Sequence, residues 1–216
     1  MRICIYQIDP RKDTDRLRGY SLKVLKDIGK EIDPAIYYKT MDAECDCYNL
    51  EDFCVKYMET PAVAHIGREF GISDIIQMKK KYYYCDRDGL VPVLFQPRKD
   101  SFRQETRCVI LEPNRNAYSA FLPALEETIE QILGIRYTGR MEEALFLNRE
   151  AVCLHASGTG RKYNRRIRTT DVVGPALICG INEGDLSSLT IEQEEKYLKQ
   201  YREADYLEHV SYHRTS

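Results

Sequence analysis

The apolar residues of this chain fall in short runs, each closed by a turn-forming residue, and that restricts the fold to small elements. Arg2–Ile8 alternates as a strand does and is ended by Asp9-Pro10. Further strands are expected over 35–41, 72–78, 82–85, 90–95, 107–111, 118–121, 135–138, 144–147 and 151–155. Asp88-Gly89 supplies a tight hairpin turn between two of them. One β-rich run, 172–179, contains Gly174-Pro175, which argues for a bulge or an edge position. Four helices complete the pattern. The first, 21–28, is stopped by Gly29, with Pro34 beyond it. The second begins at Asn49 as N-cap with Asp52 at N3, and places Leu50, Phe53, Cys54 and Tyr57 on one face. Pro123 opens the third, in which Leu125, Ile129, Ile132 and Leu133 are the apolar side and Gly134 the stop. Thr190 or Ser188 caps the fourth, which runs to about residue 206 with Glu192/Lys196 and Glu195/Lys199 in the favourable order.

The fold class that follows is α+β: two small mixed domains, each a mostly antiparallel sheet with one or two helices. The polar, proline-containing stretch 96–105 marks the boundary. The expected division is therefore 1–96, a linker at 97–105, a second domain at 106–206 and a tail at 207–216. A chain of 216 residues can bury a real core in either arrangement. Apolar stretches such as 176–179 are far too short to span a bilayer, so no membrane partner is expected. The opening Met-Arg-Ile-Cys-Ile-Tyr reads as a strand rather than a signal peptide, and the expected location is the cytoplasm.

Charge is interleaved almost everywhere, with a net charge of only -2, but Arg161, Lys162, Arg165, Arg166 and Arg168 follow one another with no acid between. A concentrated cationic loop attracts phosphate, nucleic acid or an acidic protein surface. Gly158 and Gly160 before it let backbone N–H groups approach a ligand closely. Ser157, Gly158, Gly160, Arg161, Lys162, Asn164, Arg165, Arg166 and Arg168 are the candidate binding residues, against the plainer reading of a solvated hairpin tip. If the loop is a recognition surface, reversing the charge at Arg165 and Arg166 weakens binding and spares the fold. Arginines paired with acids of the 190–205 helix would instead make the fold collapse.

Other constellations are weaker. The eight cysteines show no C-x-x-C spacing; Cys4, Cys85, Cys108, Cys153 and Cys179 lie in strand-like runs, where a thiol serves as a small hydrophobe. A metal site at Cys45, Cys47 and Cys54 with His65 is the alternative, but no metal and no cofactor is expected. His155 ends an apolar strand with Ser157 nearby; satisfaction by backbone is favoured over a hydrolase base. His209 and His213 lie in the tail. Lys79-Lys80-Lys81 reads as a solvated approach to a hairpin, and Ser73-Asp74 as a turn stabiliser. Tyr82-Tyr83-Tyr84 fits either a recognition surface or edge-strand packing. The chain lacks G-x-x-x-x-G-K-[ST] and any strand–G-x-G-x-x-G–helix unit. No enzymatic activity is expected.

Two stretches resemble domain families. Leu50-Glu-Asp-Phe, Gly67-Arg-Glu-Phe-Gly-Ile-Ser-Asp-Ile75 and Tyr83-Tyr-Cys-Asp-Arg-Asp-Gly-Leu90 resemble the YodL-like domain. That family has a Leu-Glu-Asp helix, a Gly-x-Ser-Leu-Ser-Val-Ser-Asp-Val-like segment and a Tyr-Tyr-Val-Asp-x-x-Gly-Phe hairpin. Ile110-Leu-Glu-Pro113, the 125–134 helix, Lys162-Tyr-Asn-Arg165 and Ser188-Leu-Thr-Ile-Glu-Gln193 are similar to an uncharacterised domain of phages and conjugative elements of Firmicutes. Lys162 departs from the proline or leucine of that pattern. The resemblances imply an accessory protein of a phage or other mobile genetic element in a bacterial host cell. Such a protein acts in counter-defence, as anti-CRISPR proteins do, by binding a host defence protein or ribonucleoprotein complex. The alternative function is nucleotide or nucleic-acid binding, with the 157–168 loop as a phosphate clamp.

Overall fold

The computed structural model describes residues 1–59, 62–98, 105–123, 125–134, 144–156 and 161–203. They divide into two compact units that interleave along the chain. The first comprises Met1–Thr106 and Ala120–Thr128; the second comprises Arg107–Ser119 and the chain from Ile129 onward. The single cut expected at 97–105 is thus replaced by a division in which the chain returns to the first unit after entering the second. Glu105 begins a strand instead of ending a linker.

In the first unit β1 (Arg2–Ile8) is the central strand of an antiparallel sheet, flanked by β2 (Tyr37–Glu44) and β3 (Ile75–Met78). Then come β4 (Lys81–Asp86) and β5 (Gly89–Val93), and Ala120 pairs with Ala43 on the far side of β2. Every residue of β1 after Arg2 is buried, because both sheet faces are covered. Cys4, Tyr6 and Ile8 point into a core with Leu25, Tyr37, Ile75, Tyr84 and Phe95. On the other face Gln7 hydrogen-bonds to the backbone of Arg68. The segment carrying Arg68 meets α2 (Leu50–Glu59), whose Tyr57 stacks edge-on with His65 and Phe70. Asn49 caps α2 through the Asp52 amide, and Asp52 returns the bond to the Tyr48 amide. Ser21 caps α1 (Leu22–Asp27).

Two sequence expectations shift by a few residues here. The strand expected from 35 starts at Tyr37, because Asp33 caps a single 3-10 turn at Pro34–Ile36. The strand expected from 72 starts at Ile75, since Ser73 adopts φ 79° and Asp74 turns inward.

The second unit holds most of β6 (Glu105–Leu111), the first two residues of β7 (Tyr118–Pro123) and α3 (Leu125–Leu133) from Ile129 on. After these come β8 (Ala144–Phe146) and β9 (Ala151–His155). A hairpin of β10 (Tyr163–Ile167) and β11 (Thr170–Val173) is followed by β12 (Ala176–Asn182), β13 (Asp185–Ser187) and α4 (Ile191–Gln200). Strand order is β6-β12-β9-β8, with β13 on β12 and every pairing antiparallel. Val109, Leu111, Cys153, Ala176 and Ile178 face a core closed by Ile167 and Val172 of the hairpin and by Leu189, Tyr197 and Tyr201. Each fully buried Ile or Leu there contributes about 1.5–3 kcal/mol.

The run 172–179 is two strands, because Gly174 at φ 67° turns the chain between β11 and β12. Thr190, not Ser188, caps α4 in a reciprocal box with Gln193. No ion pair joins Glu192 to Lys196 or Glu195 to Lys199 among the described residues; Lys196 lies over the ring of Tyr197 instead. The strand expected at 135–138 and the tail at 207–216 lie outside the described residues.

Candidate functional site

The basic segment forms one strand of a hairpin where a loop was expected, and its register decides what each cation does. Tyr163 pairs with Val173 and Arg165 with Val172, so Asn164 is an extra residue in β10. A bulge of this kind breaks the alternation of side chains. Asn164 and Arg165 are both buried as a result, Arg165 to 1% exposure. Asn164 Nδ2 donates to the carbonyls of Leu111 (2.9 Å) and Gly174 (2.7 Å), and its Oδ1 accepts from Arg165 Nε (2.8 Å). Arg165 Nη2 donates to the carbonyls of Glu112 (3.0 Å) and Arg115 (2.8 Å), and Nη1 donates to that of Tyr201. One guanidinium therefore holds the turn after β6 and the end of α4.

The remaining cations are engaged separately. Arg161 donates to the carbonyls of Leu133 (2.7 Å) and Gly134 (3.3 Å), which completes the end of α3. Its stem leaves no room at Gly174, where a Cβ would stand 3.0 Å from Arg161 Cδ. Arg168, in a left-handed conformation at the hairpin turn, donates to the carbonyls of Phe146 (2.8 Å) and Leu147 (2.9 Å). Arg166 makes an exposed pair with Asp171 across the hairpin at 2.8 Å. Lys162 is exposed, and its carbonyl accepts from the Gly174 amide. Ser157, Gly158 and Gly160 lie outside the described residues.

Of the described candidates, Asn164, Arg165 and Arg166 lie in β10 and Arg168 at its turn, and their side chains do not share one face. The expectation that Arg165 can be reversed without harm to the fold does not hold. Arg165 is structural, its guanidinium bonded to the carbonyls of Glu112, Arg115 and Tyr201 and to the Asn164 side chain. The signal missed in the sequence was Tyr163-x-x-x-Ile167 opposite 170–173, a strand pair hidden by its arginines.

The other reactive groups are drawn inward. Burial pushes the Cys4 thiol up to about 12, Cys85 to about 11 and Cys179 to about 12, while Cys108 and Cys153 are also raised. A thiol held protonated is a poor nucleophile and a poor metal ligand. His65 shares a hydrogen bond between Nδ1 and the Tyr57 hydroxyl. Burial, with the Arg68 charge nearby, lowers its pKa to about 4. No group of three metal-holding side chains occurs among the described residues. His155 Nδ1 lies 3.3 Å from the Ala156 carbonyl.

Ser73 and Asp74 form a hub in the first unit that the sequence indicated only as a turn. Asp74 accepts from Gln7 Nε2 (2.9 Å), the Gly71 amide (2.9 Å) and both terminal nitrogens of Arg68. Ser73 Oγ accepts from the Gly19 amide, and its carbonyl from the Tyr37 hydroxyl. Burial raises the Asp74 pKa against the pull of Arg68. Lys39 is likewise enclosed, between Asp42 (2.7 Å) and Glu105 (2.8 Å).

No protein-family model, curated protein or solved structure matches this chain.

Proposed function

We propose that this chain is a non-catalytic accessory protein of a phage or other mobile element, which binds and inhibits a component of host defence in the bacterial cytoplasm. The observation that supports binding over catalysis is the placement of the reactive side chains. Thiols are held protonated by burial, His65 is held neutral, and the buried Asp74 is saturated with donors. Such groups build a scaffold, and neither a nucleophile–base pair nor an acid poised near neutral pH is made from them. The mobile-element setting rests on the two motif resemblances. No helix among the described residues is long and apolar enough to cross a membrane.

Stoichiometry tests the proposal. When a purified defence nuclease complex is titrated with the chain, inhibition should saturate near one equivalent, and expression in cells carrying that system should restore phage plating. Inhibition by a small fraction of an equivalent, through turnover, would falsify the non-catalytic reading.

A second reading, capture of a nucleotide by a phosphate clamp, is favoured by Lys162 alone. It is the one cation of the five whose side chain has no partner among the described residues, and in the sequence it follows Ser157, Gly158 and Gly160. Calorimetric titration with cyclic oligonucleotides should then give heat that Lys162→Ala abolishes. A panel without heat removes this reading.

A further inference from the structure

The connection between β3 and β4 is a two-residue turn, with Met78 and Lys81 paired across it. Its central residues are Lys79 at φ 49° and Lys80 at φ 65°. Positive φ at both positions is the type I′ geometry, for which Asn-Gly is the preferred sequence and which a lysine adopts only against steric resistance. Two lysines have therefore been placed where the backbone resists them, and a third, Lys81, follows. All three are exposed, and none meets a carboxylate among the described residues. Strain retained at an exposed turn points to use of the side chains it carries.

The sheet places one more group beside them. Tyr82 pairs with Val93, so Leu94, the next residue, stands beside Lys81 at the same end of the sheet. Leu94 is wholly exposed, while Phe95 after it is buried against Tyr6, Tyr37 and Tyr82. The tip thus presents three compact charges and one apolar side chain on a short, fixed turn.

We propose that the Lys79-Lys80-Lys81 turn is a contact site for the phosphate backbone of double-stranded nucleic acid, with Leu94 against the sugar edge. Lysine meets a phosphate as a compact point charge, without the planar fork by which arginine holds carboxylate or phosphate through two bonds. An anionic membrane calls for clusters of about four to eight cations, more than this turn holds. Tyr82 is committed to Tyr6 and Phe95, so it offers no free ring for stacking the bases of a single strand. This site belongs to the first unit and does not rest on the counter-defence reading: a chain that inhibits no nuclease can still bind a duplex here, and the converse also holds.

The test uses the full chain and a labelled duplex of ~20 base pairs and arbitrary sequence, followed by fluorescence anisotropy. Three phosphate contacts predict a slope of about -2.7 in log K against log salt, a loss of about 40-fold between about 50 and 200 mM. Lys79→Asn with Lys80→Gly supplies the residues the turn prefers, so the melting temperature should rise while the slope falls to about -0.9. Lys81→Gln, which leaves the turn untouched, should reduce the slope by about 0.9. Leu94→Ser should lower affinity at constant slope. The proposal is overturned if the duplex is not bound at the lowest salt, or if the double variant melts higher yet keeps the full slope. Binding of anionic vesicles or of a single strand in preference to the duplex overturns it as well.

Discussion

Arg165 shows how much a single side chain can hold together when its charge is buried. Its donors reach carbonyls of Glu112, Arg115 and Tyr201, and the Asn164 amide oxygen. Removing the guanidinium leaves two buried carbonyls and one part-buried carbonyl without that donor, at about 1 kcal/mol or more each. Arg165→Met, which keeps most of the volume, should therefore lower the unfolding free energy by about 3 kcal/mol, read from urea midpoints at constant m. Arg166→Ala removes an exposed pair with Asp171 and should cost less than about 0.5 kcal/mol. Equal shifts in the two variants would show that the difference in burial has no energetic weight. Two neighbouring arginines thus have different tasks, and what separates them is the bulge at Asn164.

At the scale of elements, glycine and cap positions carry the turns, and they were the most legible part of the sequence. Asn49 announces its helix and Thr190, one of two candidates with Ser188, announces another, because a side-chain acceptor at the N-cap is a local requirement that needs no tertiary partner. Strand β1 was equally plain. The hairpin β10–β11 was not, since its interior is filled by an arginine and an asparagine satisfied from distant loops, and no local pattern reveals distant carbonyls. The Asp74 hub escaped for the same reason: Gln7, Arg68 and Gly71 converge on it from separate parts of the chain. Gly174 belongs to both classes. The sequence marked it as a break, and the structure adds Arg161 packed against it. Gly174→Ala, with a positive φ and a contact at 3.0 Å, should lower stability by about 1–2 kcal/mol; Gly29→Ala, at similar φ in open space, should cost less. Comparison of the two melting temperatures isolates the packing part.

For the whole molecule, the sign of one titration is set by His65. Its folded pKa, about 4, lies below the ordinary 6.5, so the unfolded chain takes up the proton first as pH falls. The stability that depends on a neutral His65 is complete above 6.5 and is lost progressively down to about 4, a total of about 3 kcal/mol. His65→Gln should flatten this part of the acid profile while leaving the carboxylate part below it. If the loss between neutral pH and about 4.5 is identical in the variant, His65 is not the group responsible.

The interleaving of the two units bears on how the chain is made. Ala120 pairs with Ala43, so the outer edge of β2 stays open until the ribosome has released the segment after residue 119. By then 107–119, which belongs to the other unit, has already emerged. The first unit is therefore completed out of order, around a nascent stretch that must wait for a partner synthesised later. A gene broken after residue 106 would yield a fragment with an unsatisfied strand edge, a template for aggregation. Neither unit is one continuous stretch of chain, so no single cut in the gene separates them.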